Sequence, residues 1–213
     1  MIKVESFEFS PITENTYLLS NESGQAIIID PGCYFSAEEE TLKNHIIKNN
    51  LKPVQLLNTH CHLDHVFGNK WVAETYGLDL YLHELEEKML KLAPASGLMY
   101  GVSFKNYKGP LHFLKEGDII KLGEDELKVI FSPGHSPGHV CFYCAAQNFL
   151  IGGDVLFYES IGRTDLLFGN HKQLLKNIRE KLFILSDETI VYSGHGQPTT
   201  IGHEKEFNSF LNE

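Results

Sequence analysis

Between Thr59 and His65 the chain reads Thr-His-Cys-His-Leu-Asp-His, so that four of seven residues carry an imidazole or a carboxylate. Neutral imidazoles and carboxylates are the ligands that Zn²⁺ and Fe²⁺ take up, whereas a segment this polar makes a poor core strand. The short apolar run Val54 to Leu57 ahead of it reads as a buried strand. His60, His62, Asp64 and His65 therefore lie just past a strand end, where a rigid scaffold presents chemistry. Three later segments repeat the arrangement: Ser132-Pro133-Gly134-His135-Ser136-Pro137-Gly138-His139, Gly153-Asp154, and Ser193-Gly194-His195-Gly196 each follow an apolar run and open a turn. Gathered at one sheet edge, these residues suffice for two metal ions with one carboxylate shared and positions open to water. Spacing alone leaves His135 and His139 as alternative ligands. Asp30 ends another buried run, Ala26 to Ile29, and reads either as a turn former or as a partner to a nearby ligand.

The elements that must position these residues follow from periodicity. Strands are expected over Lys3 to Phe9, Thr16 to Ser20 and Ala26 to Asp30, then a helix from a capping box at Ser36-Ala37-Glu38-Glu39 to about Asn49. The His motif should be a loop between the strand Val54 to Leu57 and a helix Val66 to Tyr76 stopped by Gly77. A strand Leu80 to Leu82 precedes an amphipathic helix with Leu85, Met89 and Leu92 inward and Glu86, Glu87, Lys88 and Lys91 toward solvent. Residues 93–110 lack periodicity and read as a substrate loop carrying Tyr100, Phe104 and Tyr107. A hairpin over Asp118 to Leu122 and Glu126 to Phe131, strands Val140 to Cys144 and Phe149 to Gly152, and a helix His171 to Leu182 capped by Asn170 come next. A strand Thr189 to Tyr192 and a short helix bearing Phe207, Phe210 and Leu211 close the chain; His45, His83, His112, His171 and His203 read as structural.

With 213 residues, 42% of them hydrophobic, the chain suits a single domain over 1–213 with a sizeable core. A formal charge of −10 argues against a nucleic-acid phosphate backbone as partner. Neither a signal-peptide pattern nor an apolar run of the ~20 residues a membrane helix needs is present, so no membrane is expected and the setting is read as cytoplasmic. Cys33, Cys61, Cys141 and Cys144 read as packing thiols in a reducing compartment; Cys141 and Cys144 lack the second pair a zinc site needs.

The succession H-x-H-x-D-H, P-G-H-x-x-G-H, G-D and G-H resembles the metallo-β-lactamase superfamily over essentially the whole chain. Gly153-Asp154-Val155-Leu156-Phe157 followed by Ile161-Gly162-Arg163-Thr164-Asp165 looks like its glyoxalase II-like branch, the hydroxyacylglutathione hydrolase-like small metallo-hydrolases. The resemblance implies an α/β fold, a four-layer αββα sandwich with the metals at one sheet edge. It makes His60, His62 and His135 the ligands of a first divalent ion, Asp64, His65 and His195 those of a second, and Asp154 the bridge. It thereby selects His135 over His139 and favours Asp30 as a carboxylate beside the site. Two metals per chain are implied, with zinc the leading candidate and iron or manganese suited to the same donors. A water made acidic by two cations would attack a small thioester or related acyl substrate, with Asp64 catalytic and Arg163, Phe157 and Tyr158 as substrate contacts. The leaving thiolate would need no general acid. Full-length glyoxalase II enzymes have Lys where this chain has Arg163 and Tyr at the positions of Asp165 and Gln197, and grip glutathione with a C-terminal helical extension that this chain is expected to lack. The alternative implied is a persulfide dioxygenase with one Fe²⁺ on His60, His135 and Asp154, which resembles Asn58 to His62 and Gly162 to Asp165 but usually has Cys where this chain has His139. Oligomeric state is unconstrained.

Overall fold

Alternating apolar and charged residues at the N-terminus form a meander: β1 (Lys3–Phe9) pairs antiparallel with β2 (Glu14–Ser20), and β2 with β3 (Gln25–Ile29). The computed structural model describes residues 1–212, and its backbone packing separates two compact units, residues 1–114 with 121–125 and residues 115–120 with 126 onward.

In the first unit, α1 (Ser36–Lys48) carries the chain from β3 to β4 (Lys52–Leu57), which lies parallel to it. Then α2 (Leu63–Val66) and α3 (Asn69–Tyr76) lead to β5 (Leu80–His83), and α4 (Glu87–Met99) to β6 (Leu111–Leu114), giving a six-stranded sheet in the order β1-β2-β3-β4-β5-β6. Parallel strands need crossover helices, which cover the sheet, and Ile27, Ile28 and Ile29 are accordingly fully buried.

The second sheet contains β7 (Ile119–Leu122), β8 (Asp125–Phe131), β9 (Val140–Cys144) and β10 (Phe149–Gly153). A small hairpin of β11 (Leu156–Phe157) and β12 (Ser160–Ile161) and the helix α5 (His171–Asn177), extended by a π-helical turn at Ile178–Leu182, lead to β13 (Ile190–Ser193), which lies parallel to β10. The chain continues through β14 (Thr199–Thr200) into α6 (Ile201–Phe207), and the strand order is β14-β13-β10-β9-β8-β7. Leu150, Val155, Leu174, Ile178 and Val191 share this unit's core.

Several expectations are corrected. The helix after the motif begins inside it: Asp64 and His65 sit on α2 and are not in a loop. Phe35, not Ser36, caps α1, and Glu38 alone supplies the reciprocal bonds, to the N–H groups of Tyr34 and Phe35. Leu85 is 49% exposed and Glu86 fully buried, the reverse of the amphipathic assignment. A 3₁₀ turn at Glu84–Glu86, capped by the His83 ring, rotates the register, because three residues per turn do not follow a 3.6-residue pattern. Residues 93–99 continue α4 through Pro94. Phe207 ends the last helix, and Phe210 and Leu211 lie beyond it. The two-residue strands β11 and β12 and the strand β6 had no sequence signal.

All four cysteines are free and buried, as packing thiols should be, and burial pushes the thiols of Cys33 and Cys61 up. No helix among the described residues is long and apolar enough to cross a membrane. Leu18, fully buried in β2, lies in the first unit's core; Leu18→Ala is expected to cost about 2–5 kcal/mol in urea unfolding, as other buried leucines do when truncated.

Candidate metal centre

In the first unit the site is built on Asp30. The last residue of the β3 run has φ +49, a left-handed turn that bends its carboxylate back under the end of β4. Asp30 Oδ1 accepts the Thr59 N–H at 2.7 Å and the Asn58 side-chain amide at 3.1 Å; Oδ2 accepts the Thr59 hydroxyl at 2.5 Å. His65 Nδ1 lies 3.1 Å from the same Oδ2. A carboxylate only accepts, so Nδ1 is the protonated nitrogen of His65, and its Nε2 is turned toward Asp64 Oδ2, 3.8 Å away. The Thr59 hydroxyl gives its one proton to Asp30 and therefore accepts from His60 Nδ1 at 3.0 Å. One carboxylate thus sets the tautomer of two rings, directly and through a hydroxyl. The rings of His60 and His65 lie 4.1 Å apart and those of His60 and His62 4.8 Å apart.

Atoms of Asp30, His60 and His65 approach within 4.8 Å of one another, but both Asp30 oxygens are occupied by donors. Within this trio the carboxylate serves to orient the two imidazoles. Glu14, also fully buried, stands with Oε1 3.9 Å from His65 Nδ1, and burial pushes its carboxyl well above the usual range. Buried Glu86 accepts the Cys61 N–H at 2.8 Å, between the two motif histidines.

In the second unit the loop 132–138 is pinned to α5: the Asn170 N–H bonds the Gly134 carbonyl at 2.7 Å and the Asn177 side chain the Pro133 carbonyl at 2.6 Å. A side chain at Gly134 would strike the Leu174 backbone at 2.5 Å. The loop delivers His135, whose Nδ1 donates to the Arg163 carbonyl at 2.7 Å, so its Nε2 faces Asp154 Oδ2 at 3.5 Å. His195 Nε2 reaches the same Asp154 oxygen at 3.7 Å. The Asp154 N–H donates to His139 Nε2 at 3.0 Å, so His139 holds the Asp154 backbone with the nitrogen a ligand would use. Gly162 packs so closely that a Cβ there would lie 1.8 Å from the Asp154 carbonyl and 3.1 Å from His135 Nδ1.

The expected substrate contacts divide. The Phe157 ring lies 6.3 Å from the His195 ring, and Tyr158 stacks on His203. Arg163 forms a two-pronged ion pair with Asp165 at 2.8 and 2.7 Å, which holds the Asp165 carboxyl at about 2. Residues 104–110, the end of the stretch 93–110 expected as a substrate loop, are tied down by the Asn106 amide on the Leu90 carbonyl at 2.6 Å. They border a cleft of about 720 Å³ together with Lys70, Ala73 and Leu78 but none of the motif residues. Sequence reading missed Thr59, Glu14 and Glu86: buried acids look like surface acids until tertiary partners are known, whereas Thr59, directly before the first histidine, was open to recognition.

The donor set fits divalent metals of the zinc and iron type: imidazoles held in one tautomer and carboxylates aimed at their Nε2 atoms. Residues 10–195 match the family model described as the Metallo-beta-lactamase superfamily, and the chain belongs to that family. It is 35% identical over 212 residues to hydroxyacylglutathione hydrolase GloC of Haemophilus influenzae, covering 97% of this chain and 98% of that protein. Among solved structures, BLEG-1 B3 metallo-beta-lactamase superposes with a TM-score of 0.91 at 37% identity, covering 99% of this chain and 100% of the other. TTHA1623 in a di-iron-bound form gives 0.88 at 35%, covering 97% and 100%. The metallo-β-lactamase fold of the α/β class is thereby established, and the protein is a metal-dependent hydrolase by family.

Asp30→Asn keeps the shape of the side chain but, if its amide nitrogen faces His65 Nδ1, sets donor against donor. We expect metal affinity to fall about 10- to 100-fold, the usual effect of losing a partner of ligating histidines, with an unchanged far-UV circular dichroism spectrum. Chelator competition measures it, and wild-type affinity would remove the orienting role.

Proposed function

We propose that the chain is a dinuclear thioester hydrolase of the glyoxalase II-like kind. His60, His62 and His135 would hold one divalent metal, Asp64, His65 and His195 the other, with Asp154 between them. Zinc is the leading candidate, and iron or manganese suits the same donors. The observation that carries this reading is the position of Asp154 Oδ2, at 3.5 Å from His135 Nε2 and 3.7 Å from His195 Nε2, as a shared carboxylate requires. The di-iron form of TTHA1623 supports a pair of ions, and the name of GloC supports an S-acyl thiol substrate.

Bound metals supply a Lewis acid for the acyl carbonyl and lower the pKa of a water toward neutrality. The chain's residues do the rest. Asp64, nearly buried beside His65, orients the attacking water and holds its proton. Asp30 keeps His60 and His65 in their ligating tautomers throughout. The thiolate leaves unaided, since a thiol pKa near ~8.5 makes it a good leaving group at neutral pH. Phe157 and Tyr158 are assigned to the acyl substrate. Arg163 is the candidate for an anionic end of it, and its pairing with Asp165 weakens its claim on a glutathione carboxylate. The four buried thiols suit a reducing, cytoplasmic setting, and the acidic chain suits a small-molecule substrate over nucleic acid.

The competing assignment, a persulfide dioxygenase with one iron on His60, His135 and Asp154, gives Asp64, His65 and His195 no task, although Asp30 orients His65 as firmly as His60. Protein purified without chelator should contain about two metals per chain and hydrolyse S-acyl thiols, with Asp64→Ala lowering kcat at least about 100-fold. Persulfide-dependent O₂ uptake with one iron and no thioesterase activity would reverse the assignment. A chromogenic β-lactam belongs in the same assay, because BLEG-1 is described as a metallo-beta-lactamase; turnover of it in preference to thioesters would change the substrate class.

A further inference from the structure

Glu204 lies on α6, beyond the last ligand in the chain, and is fully buried. Both of its carboxylate oxygens accept the Glu159 N–H, at 3.1 and 3.0 Å. Oε1 also accepts the Thr199 hydroxyl at 2.5 Å and Oε2 the Asn208 amide at 2.6 Å. The same Asn208 nitrogen donates to the Ser160 carbonyl at 3.0 Å. The segment 204–208 therefore grips the turn between β11 and β12 from both sides. The turn requires it: Glu159 has φ +53, a left-handed conformation unfavourable for a residue with a side chain. His203 reinforces the grip, stacking on Tyr158 at 4.7 Å and bonding Glu159 Oε1 at 3.1 Å.

Each end of the hairpin runs into the candidate ligands. β11 starts two residues after Asp154, its Leu156 carbonyl is held by the Ser193 hydroxyl at 2.7 Å, and Phe157 lies against His195. β12 runs into Gly162, packed on Asp154, and Arg163, whose carbonyl fixes the His135 ring. Asp154, His135 and the His195 contact thus share one short hairpin, and Glu204 holds its turn.

We propose that Glu204 is a positioning residue for the three ligands of the second unit, acting through the hairpin 156–161. This rests on the reading of His135, Asp154 and His195 as metal ligands, and it predicts coupled behaviour of two properties that need no substrate. In chelator-treated protein, Glu204→Ala should speed hydrogen exchange at the 159–161 amides about tenfold or more, the scale of one lost hydrogen bond to a carboxylate, while exchange in β1 to β3 stays at the wild-type rate. In a Zn²⁺ titration the same variant should bind about tenfold more weakly, as when a partner of a ligand is lost. Glu204→Gln keeps an acceptor oxygen for the Glu159 N–H and should restore both values to within about threefold of wild type.

Wild-type exchange and Zn²⁺ affinity in Glu204→Ala would overturn the proposal; so would weaker Zn²⁺ binding with an unchanged hairpin, or a Gln variant as damaged as the Ala variant. Should circular dichroism show Glu204→Ala unfolded, Asn208→Ala, which removes the Ser160 contact, must show both losses, and wild-type values there overturn it. Protein that binds Zn²⁺ but turns over no thioester removes the thioester reading and leaves this test intact. Thioester turnover with an indifferent Glu204→Ala removes the positioning role alone.

Discussion

Asp30 sets its two oxygens against four donors: the Thr59 N–H, the Asn58 amide, the Thr59 hydroxyl and His65 Nδ1. A neutral imidazole ligates through whichever nitrogen lacks the proton, so holding Nδ1–H of His65, and that of His60 through Thr59, decides which nitrogen each ring offers. The backbone is bent to allow it. A non-glycine residue at φ +49 carries strain of about 1–3 kcal/mol, tolerated where surrounding bonds over-determine the conformation. Here the Asp30 N–H is tied to the Leu57 carbonyl at 3.0 Å, which locks the end of β3 to the end of β4, the strand that leads into the motif.

The second unit reaches the same end with backbone groups. A carbonyl, that of Arg163, fixes the His135 ring, and an imidazole, that of His139, fixes the Asp154 N–H. The choice explains why the Arg163 region tolerates an exposed ion pair with Asp165. Its contact with His135 is made by the main-chain carbonyl, and the guanidinium is left to pair with Asp165 at the surface. A surface pair of this kind, with both side chains exposed, adds little stability. Oriented imidazoles and carboxylates thus stand at strand-end turns and on α2, in a chain whose family is that of metal-dependent hydrolases.

Much of this was legible in the sequence because strand-end loops announce themselves. Apolar runs ending in Asp-Pro-Gly, Ser-Pro-Gly-His, Gly-Asp or Gly-His place turn formers beside ligand-type side chains, and all four runs proved to be strands or their ends. What stayed hidden has three physical origins. Glu14, Glu86 and Glu204 are buried acids whose partners lie elsewhere in the chain, and local pattern assigns any glutamate to solvent. The 3₁₀ turn at Glu84–Glu86 changed the helical phase, so Leu85 and Glu86 exchanged places. β11 and β12 have two residues each, too few for an alternation to register.

The central claim, that these ligands hold two metals sharing Asp154, is tested most directly by anomalous diffraction from crystals of protein purified without chelator. Two anomalous peaks about 3.5–4 Å apart are expected, the usual spacing of two-metal sites, one bonded by His60, His62 and His135 and the other by Asp64, His65 and His195, with Asp154 reaching both. A single peak on His60, His135 and Asp154, with none beside His65 and His195, would contradict it.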